Sequence, residues 1–429
     1  MEFIGEVIKY IALALVILGV ILIIFKLLNE LDPPIAAPVL ESRNFIDIKR
    51  SAHKNIFLKF LLFVLASRIL IFISVYIIQI LLQKEIISIS TYLQMWFTQD
   101  SPHYIDIAQY GYQTVGEERF YIVFYPLYPL LIKAFSFLFY DYTLSGILVS
   151  CLFLAIACLY VYKLIILESG DEKLANQAVL LLLIFPYSFF FGIVYTESLF
   201  LALSAMVFYY SRKKKWVLAG IFGMLGALTK NQGIFLFIPI AIEIGLNSSL
   251  IFDFKKHNYK NAVKYLLTTI PCALFPFVGF SLYLLLNKMV FGDLFKFLEY
   301  QQLRWGNSMW LFADSIEQGF ISALSCDRIY SIGTFIPQVV FFFVVIILII
   351  ISIKKVPLSY SAFSLIVLIF SYSPTSLLSG PRYISGIVPI YIFLSLFTQK
   401  SRLIQYITNV ICVLLLLLYS TTFINGGTY

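Results

Sequence analysis

Asp100, His103 and Asp106, followed by Glu117, Glu118 and Arg119, crowd into one stretch, Trp96 to Pro129, of an otherwise apolar chain. Tyrosines surround them. If Asp100–Ile107 is helical, residues 100, 103, 104 and 107 share a face. A carboxylate, an imidazole and a phenol then stand side by side. A carboxylate flanked by aromatics at a membrane edge is partly desolvated, which suits a general base. The same Asp100 reads equally as a helix N-cap, because Asp-Ser-Pro precedes the helix and places a proline at its start. The two roles are compatible. His103, one turn away, is equally a structural hydrogen-bonding residue or a partner in the chemistry. Asp100, Asp106 and Glu118 could hold a hard cation. They lack a tight ligand spacing, so no cofactor is assigned, and a divalent metal remains a lesser alternative.

Isolated cations form the second group. Lys230 ends an apolar run in LTKNQG, Arg304 lies in QQLRWGN, and Arg382 lies in SGPRY where a helix would restart. Each could pair with a phosphate, or snorkel to lipid headgroups. Three of them on the same side as Asp100 would make a cationic site. Arg68 differs: it falls mid-span in LLFVLASRILIF, where a charge is costly and needs a partner, so it is expected to pair structurally with another span. Glu197 (YTES) reads as a first-turn acid behind Thr196.

The elements that must position these groups follow from composition. The chain has 429 residues, 61% hydrophobic and only 13% charged, against roughly 25% charged in soluble domains. It is an integral membrane protein, all-α and polytopic. Spans of about 20 apolar residues are expected at 8–28, 57–82, 143–167, 177–195, 197–211, 216–229, 231–247, 265–290, 331–353, 356–375, 383–399 and 403–423. Three of the twelve (197–211, 216–229 and 231–247) are short enough to be tilted, broken or re-entrant. The N-terminus lacks a basic n-region and a small-residue cleavage site, so it is expected to be a retained span. Residues 30–56 form a polar linker with a Pro-Pro turn. The division is therefore 1–56, an extra span with its linker, and 57–423, the main membrane domain, with the outer loop 83–142 as its catalytic part.

The net charge of +8 is spread between apolar segments, where it sets orientation and is no sign of a nucleic-acid partner. Arg43, Lys49, Arg50 and Lys54, the run Arg212–Lys215, Lys255, Lys256, Lys260 and Lys264, Lys354–Lys355, and Lys400 with Arg402 fall on one side if each segment crosses once. Positive-inside makes that side cytoplasmic. Loops 83–142 and 291–330 and the turn around Arg382 are then extracytoplasmic. The apolar run 126–140 would reverse this parity if it crossed. It is expected instead as an interfacial or re-entrant helix, its start marked by Pro126 and Pro129. The five cysteines have no metal spacing and four lie in apolar stretches, which argues against a disulfide framework. The abundance of Ile, Lys, Tyr and Phe suggests an AT-rich, prokaryotic genome.

The stretch DSPHYIDIAQYGY followed by FYPLYPLL resembles the first luminal loop of PIG-V-type enzymes, the second mannosyltransferases of GPI-anchor synthesis, whose pattern is WD-x-x-HY-x-x-IA-x-x-GY…FFPLYP. Asp100, His103, Tyr104, Ile107, Ala108, Gly111, Tyr112, Pro126, Leu127, Tyr128 and Pro129 match it. YTESLF…LAG…ALTKNQG, with Glu197 and Lys230, resembles the family's YSESLF…LAG…ASLTRPNG region. GDLFKFLEYQQLRWGN, with Gln302, Arg304 and Trp305, is similar to its outer loop bearing a Gln and a Trp, and PRYISGIVPIYIFLSL to its last helix. The matches run from about residue 57 to 399. Gln99 stands in place of the family's Trp, Lys230 in place of its Arg, and the span at 8–28 is additional.

The resemblance implies a GT-C glycosyltransferase: multi-spanning, inverting, using a polyprenyl-phosphate sugar, with Asp100 as base, His103 as the second catalytic residue, and Tyr104, Tyr112, Glu118, Tyr128, Glu197, Lys230, Gln302, Arg304, Trp305 and Arg382 as substrate-binding residues. The implied partners are the lipid-linked donor, a glycolipid or glycan acceptor, and the membrane itself. A transporter or flippase of lipid-linked or anionic substrates is the alternative, and it requires essential charges near the bilayer midplane. A non-catalytic partner subunit is a third possibility, in which Asp100→Asn would leave activity intact.

Overall fold

The computed structural model describes residues 2–31, 56–247, 250, 253 and 256–427. The linker residues 32–55, with the Pro-Pro turn and four of the basic residues used for orientation, lie outside the described residues, as does Lys255. The fold is all-α. Among the described residues the only extended pairing is a single bridge between Met309 and Pro374. The helices are α1 (Glu2–Leu31), α2 (Ile56–Gln83), α3 (Ile89–Met95), α4 (Asp100–Tyr110), α5 (Leu127–Phe139), α6 (Tyr142–Ser169), α7 (Glu172–Ile184), α8 (Glu197–Arg212), α9 (Trp216–Ala227) and α10 (Phe237–Gly245). They continue with α11 (Tyr259–Phe291), α12 (Lys296–Trp305), α13 (Phe312–Ser325), α14 (Arg328–Ser352), α15 (Leu358–Ser371), α16 (Gly380–Ser385), α17 (Val388–Thr398) and α18 (Arg402–Ile424). Six of them, α1, α2, α6, α11, α14 and α18, are long and apolar enough to cross a membrane alone.

Three expected spans are discontinuous. The run 177–195 is not one helix: α7 stops at Ile184 and the chain re-forms as a 3₁₀ turn, Ser188–Gly192. Pro186 accounts for the break, since it drives Phe185 out of the helical region (ψ 141°). The run 231–247 begins as a 3₁₀ turn, Asn231–Leu236, before α10. The run 383–399 is split between α16 and α17, with Pro389 near the start of α17. The 126–140 run forms α5 with Pro126 as its N-cap, bent by 109° from the preceding 3₁₀ turn Glu117–Val123.

The breaks are stabilised by specific partners. Arg68 of α2 donates from Nη2 to Leu183 O (2.6 Å) and from Nη1 to Ser188 O. It meets one carbonyl at the end of α7, where a cation is favoured, and one in the turn that follows. Its partner span thus supplies carbonyls rather than a carboxylate. Gly192 makes room for it, since a Cβ there would lie 2.5 Å from Arg68 Cδ. On α9, Gly220 and Gly223 face α11, where added Cβ atoms would meet Cys272 O at 2.5 Å and Pro276 Cγ at 2.8 Å. Small residues let the backbones approach as in membrane helix pairs.

α1 packs on α13, α14 and α15. Lys9 pairs with Asp314 and with Glu317 (3.2 Å), and Lys26 reaches the carbonyls of Ile353 (2.7 Å) and Val356. The additional N-terminal span is therefore docked on the bundle. At the far end of α8, Arg212 binds Glu168 of α6 (2.6 Å) and Glu243 of α10 (2.7 Å), and Tyr360 of α15 donates to Glu168 (2.9 Å). These groups belong to helix ends that parity puts on one side, and they meet there. The other end of α8, about 22 Å away by helix rise, carries Glu197. All five cysteines are free.

Candidate active site

Asp100 opens α4. It is the first helical residue and not the cap: Gln99 occupies the cap position with φ +57°, and no side chain caps the helix. A left-handed φ on a residue with a side chain carries strain that its surroundings must offset. Gln99 is held by a bond from Nε2 to Gly427 O (2.6 Å). The backbone N–H of Asp100 donates to Tyr195 Oη (3.4 Å), which in turn donates to Thr98 O (3.3 Å). The carboxylate itself pairs with Arg382.

Asp100 Oδ2 lies 2.6 Å from Arg382 Nη1. Arg382 Nε lies 3.7 Å from Glu197 Oε1, and that same oxygen accepts from Lys230 Nζ at 2.8 Å. Four charges from four distant parts of the sequence form one alternating chain. Aromatic rings enclose it: Tyr195, Tyr383 and Phe190 lie 5.2–5.5 Å from the Arg382 guanidinium, and Lys230 stands 4.9 Å above Tyr383. Glu197 is therefore not a simple first-turn acid. Its Thr196 neighbour makes no side-chain cap, and the carboxylate is buried between two cations.

Helix discontinuities deliver these groups. Glu197 follows the 3₁₀ turn after α7. Lys230 sits between α9 and the 3₁₀ turn Asn231–Leu236, where Gly233 crosses Gly226 so closely that a Cβ would fall 2.1 Å from Gly226 O. Arg382 rides on the short α16, and a Cβ on Gly380 there would meet the Tyr372 ring at 2.8 Å. The Phe124–Pro129 motif docks against the same turn, since Leu127 N donates to Leu228 O (3.0 Å).

The remaining candidates separate into two groups. Tyr104, Tyr112 and Tyr128 are framework. Tyr112 donates to Phe124 O (2.6 Å), and Tyr128, fully buried, bonds Ser150 Oγ (2.7 Å) and Gly146 O (3.1 Å). Tyr104 packs edge-on against Phe124 and Tyr128. The rim holds the others. His103 lies against Tyr121, with ring centroids 4.3 Å apart, and its Nδ1 is buried without a partner. Burial draws its pKa below the ordinary 6.5, although Asp100 and Asp106 pull the other way. Burial also raises Asp106 above the usual carboxylate range, with Glu118 adding to the effect. Among the described residues no hydrogen bond or ion pair joins His103 to Asp100, so the shared helix face divides into two neighbourhoods. Arg304 pairs with Glu117 at 3.5 Å in the open, Gln302 is exposed, and Trp305 meets Phe124 edge-on. No three His, Cys, Asp or Glu side chains converge as a metal site among the described residues.

Sequence reasoning missed Tyr195 and Tyr383. Their signal was adjacency: Tyr195 is two residues before Glu197, and Tyr383 directly follows Arg382.

Residues 125–280 match the family profile described as dolichyl-phosphate-mannose-protein mannosyltransferase. That region holds Glu197 and Lys230 and stops short of Arg382. GPI mannosyltransferase 2 of Schizosaccharomyces pombe is 31% identical over 144 residues, which is 33% of this chain and 30% of that protein. The chain thus matches less than a third of its curated relative's length. Both findings support the likeness to PIG-V-type GT-C glycosyltransferases first carried by Asp100–Pro129.

Proposed function

We propose, from that kinship and from the geometry around Asp100, that the chain is an inverting mannosyltransferase. It takes a mannosyl group from a polyprenyl- or dolichyl-phosphate donor and passes it to a hydroxyl of a glycolipid or glycan at the extracytoplasmic face of the membrane. One observation carries the reading: a partly exposed carboxylate touches a buried guanidinium that shares a second acid with a buried lysine. Base and anion site are therefore adjacent. The acceptor oxygen forms a bond to C1 of the sugar while its proton passes to Asp100. The bond from C1 to the phosphate oxygen breaks, and its electron pair leaves with the phosphate. In this reading Arg382 takes up that growing charge, with Lys230 behind it through the shared Glu197. Burial disfavours the charged form of His103, and its ring lies against Tyr121 at the rim.

A lipid donor suits a site at the end of the bundle, because its chain stays in the bilayer while its head group reaches the loop. Glu197 is the first residue of α8, and Lys230 and Arg382 lie at helix breaks; transporters of anionic substrates use such breaks too, and the transfer assay separates the two readings. The test is transfer from labelled polyprenyl-phosphate mannose by the purified full chain. Asp100→Asn is expected to slow transfer by about 10²-fold or more, and EDTA to leave it unchanged. Equal rates for variant and wild type refute the assignment.

A further inference from the structure

The charge network holds two acids and two cations, and the acids are not equivalent. The Glu197 side chain is 2% exposed, and a single oxygen, Oε1, serves both Lys230 and Arg382. Its Oε2 is buried without a partner. The Asp100 side chain is 23% exposed and touches one nitrogen, Arg382 Nη1. Asp100 is the more exposed of the two acids, so an anion that binds Nη1 from its side competes with that carboxylate. Glu197 is far less accessible, with a side chain only 2% exposed.

Resting on the reading above, we propose that Glu197 is a positioning residue, the fixed counter-ion of both cations, and that Asp100 is a placeholder for the donor phosphate. The phosphate takes over Arg382 and, in doing so, releases the carboxylate to receive the acceptor's proton. The network is charge-balanced in the empty enzyme. With the donor bound, the surplus negative charge belongs to the outward carboxylate, where water and the acceptor hydroxyl can solvate it. Glu197 cannot exchange in this way, so it keeps Arg382 and Lys230 at a fixed separation throughout. The base is thus freed only after the donor has arrived.

The probe is polyprenyl phosphate, titrated against the purified full chain in detergent, with labelled transfer measured in parallel. Asp100→Asn removes the competing anion, so the lipid phosphate is expected to bind about tenfold more tightly, the gain from losing one charge-assisted competitor, while transfer is lost. In Glu197→Gln, Arg382 is left with Asp100 as its one acid and holds it more tightly, so the phosphate displaces it less readily and binding weakens several-fold. Adding Asp100→Asn to Glu197→Gln restores it. A merely structural Glu197 would leave the double variant as weak as the single one. Unchanged or weaker binding by Asp100→Asn, or a Glu197→Gln defect that persists in the double variant, overturns the proposal. Should Asp100→Asn fail to fold, by size exclusion and melting, Asp100→Ser answers the same question. Wild-type protein that does not bind polyprenyl phosphate sinks the donor assignment and this proposal together. An Asp100→Asn variant with normal transfer sinks only the base assignment, and the binding comparison still decides the placeholder role.

Discussion

Arg382→Gln tests the centre of the site most directly. The Arg382 side chain is 8% exposed and serves both acids. Removing it leaves Glu197 with Lys230 alone and strands Asp100 without its partner. Breaking one side of a buried pair costs about 3–5 kcal/mol. Asp100 already sees water, at 23% exposure, and regains hydration, so the low end of that range, about 3 kcal/mol, is expected for stability. The effect on chemistry is separate. A fixed cation facing a developing anion is worth about 3–4 kcal/mol in a water-poor site, on the order of 10²–10³-fold in kcat. Arg382→Lys keeps the charge but loses the planar fork that meets Asp100 through Nη1 and Glu197 through Nε, so it should recover part of the rate and most of the stability. The assay is the initial rate with labelled polyprenyl-phosphate mannose at saturating donor, alongside thermal melting of each variant. A folded Arg382→Gln protein that transfers within about threefold of wild type would show that Arg382 does not face the leaving group, against the electrostatic argument.

Three further outcomes follow from the geometry. Lys230→Arg should retain transfer within about tenfold, because a guanidinium can still bind Glu197; Lys230→Met should lose donor affinity and stability together, read by KM and melting. Gly233→Ala forces a Cβ to within 2.1 Å of Gly226 O and should cost about 1–3 kcal/mol of stability and disturb the Lys230 turn, whereas Gly245→Ala, which would touch nothing within 4 Å, serves as the silent control in the same melting series. For His103, burial lowers the folded pKa below 6.5, so as pH falls the unfolded chain takes up the proton first. Stability is lost as pH drops below about 6.5 and stops falling once pH passes the lowered folded value; melting of His103→Gln should lack that acid slope.

The long helices were legible because apolar runs of sufficient length have one solution in a bilayer. The α4 helix and the α5 start were legible too, from spacing and from Pro126. The breaks were not. A run such as 177–195 is apolar on both sides of Pro186, and hydropathy averages across it. Arg68 was readable as a charge needing a partner, but that partner is a set of carbonyls that exists only because the run breaks. Glu197 was read from its neighbour Thr196, whereas its environment is set by Lys230, 33 residues on, and by Arg382 beyond that. The contact between Asp100 and Arg382 spans 282 residues of sequence and has no local signature.

The same breaks explain why the site lies where it does. Four charges buried among aromatics are costly unless each has a partner at close range. Continuous parallel spans would hold such groups apart at helix-to-helix distance and leave their side chains to find one another. Here α8 begins at Glu197, after the 3₁₀ turn Ser188–Gly192 and a short connection, 193–196, the Lys230 turn is tightened by the Gly226–Gly233 crossing, and Arg382 sits on a helix of only six residues, Gly380–Ser385. Each discontinuity brings backbone as well as side chain to the same end of the bundle. Asp100 arrives last, from a loop helix whose entry is bent at Gln99 and tied to Gly427. The three inner groups are thus fixed by the packing of apolar helices, and the one acid delivered by a short loop helix is the most exposed of the four.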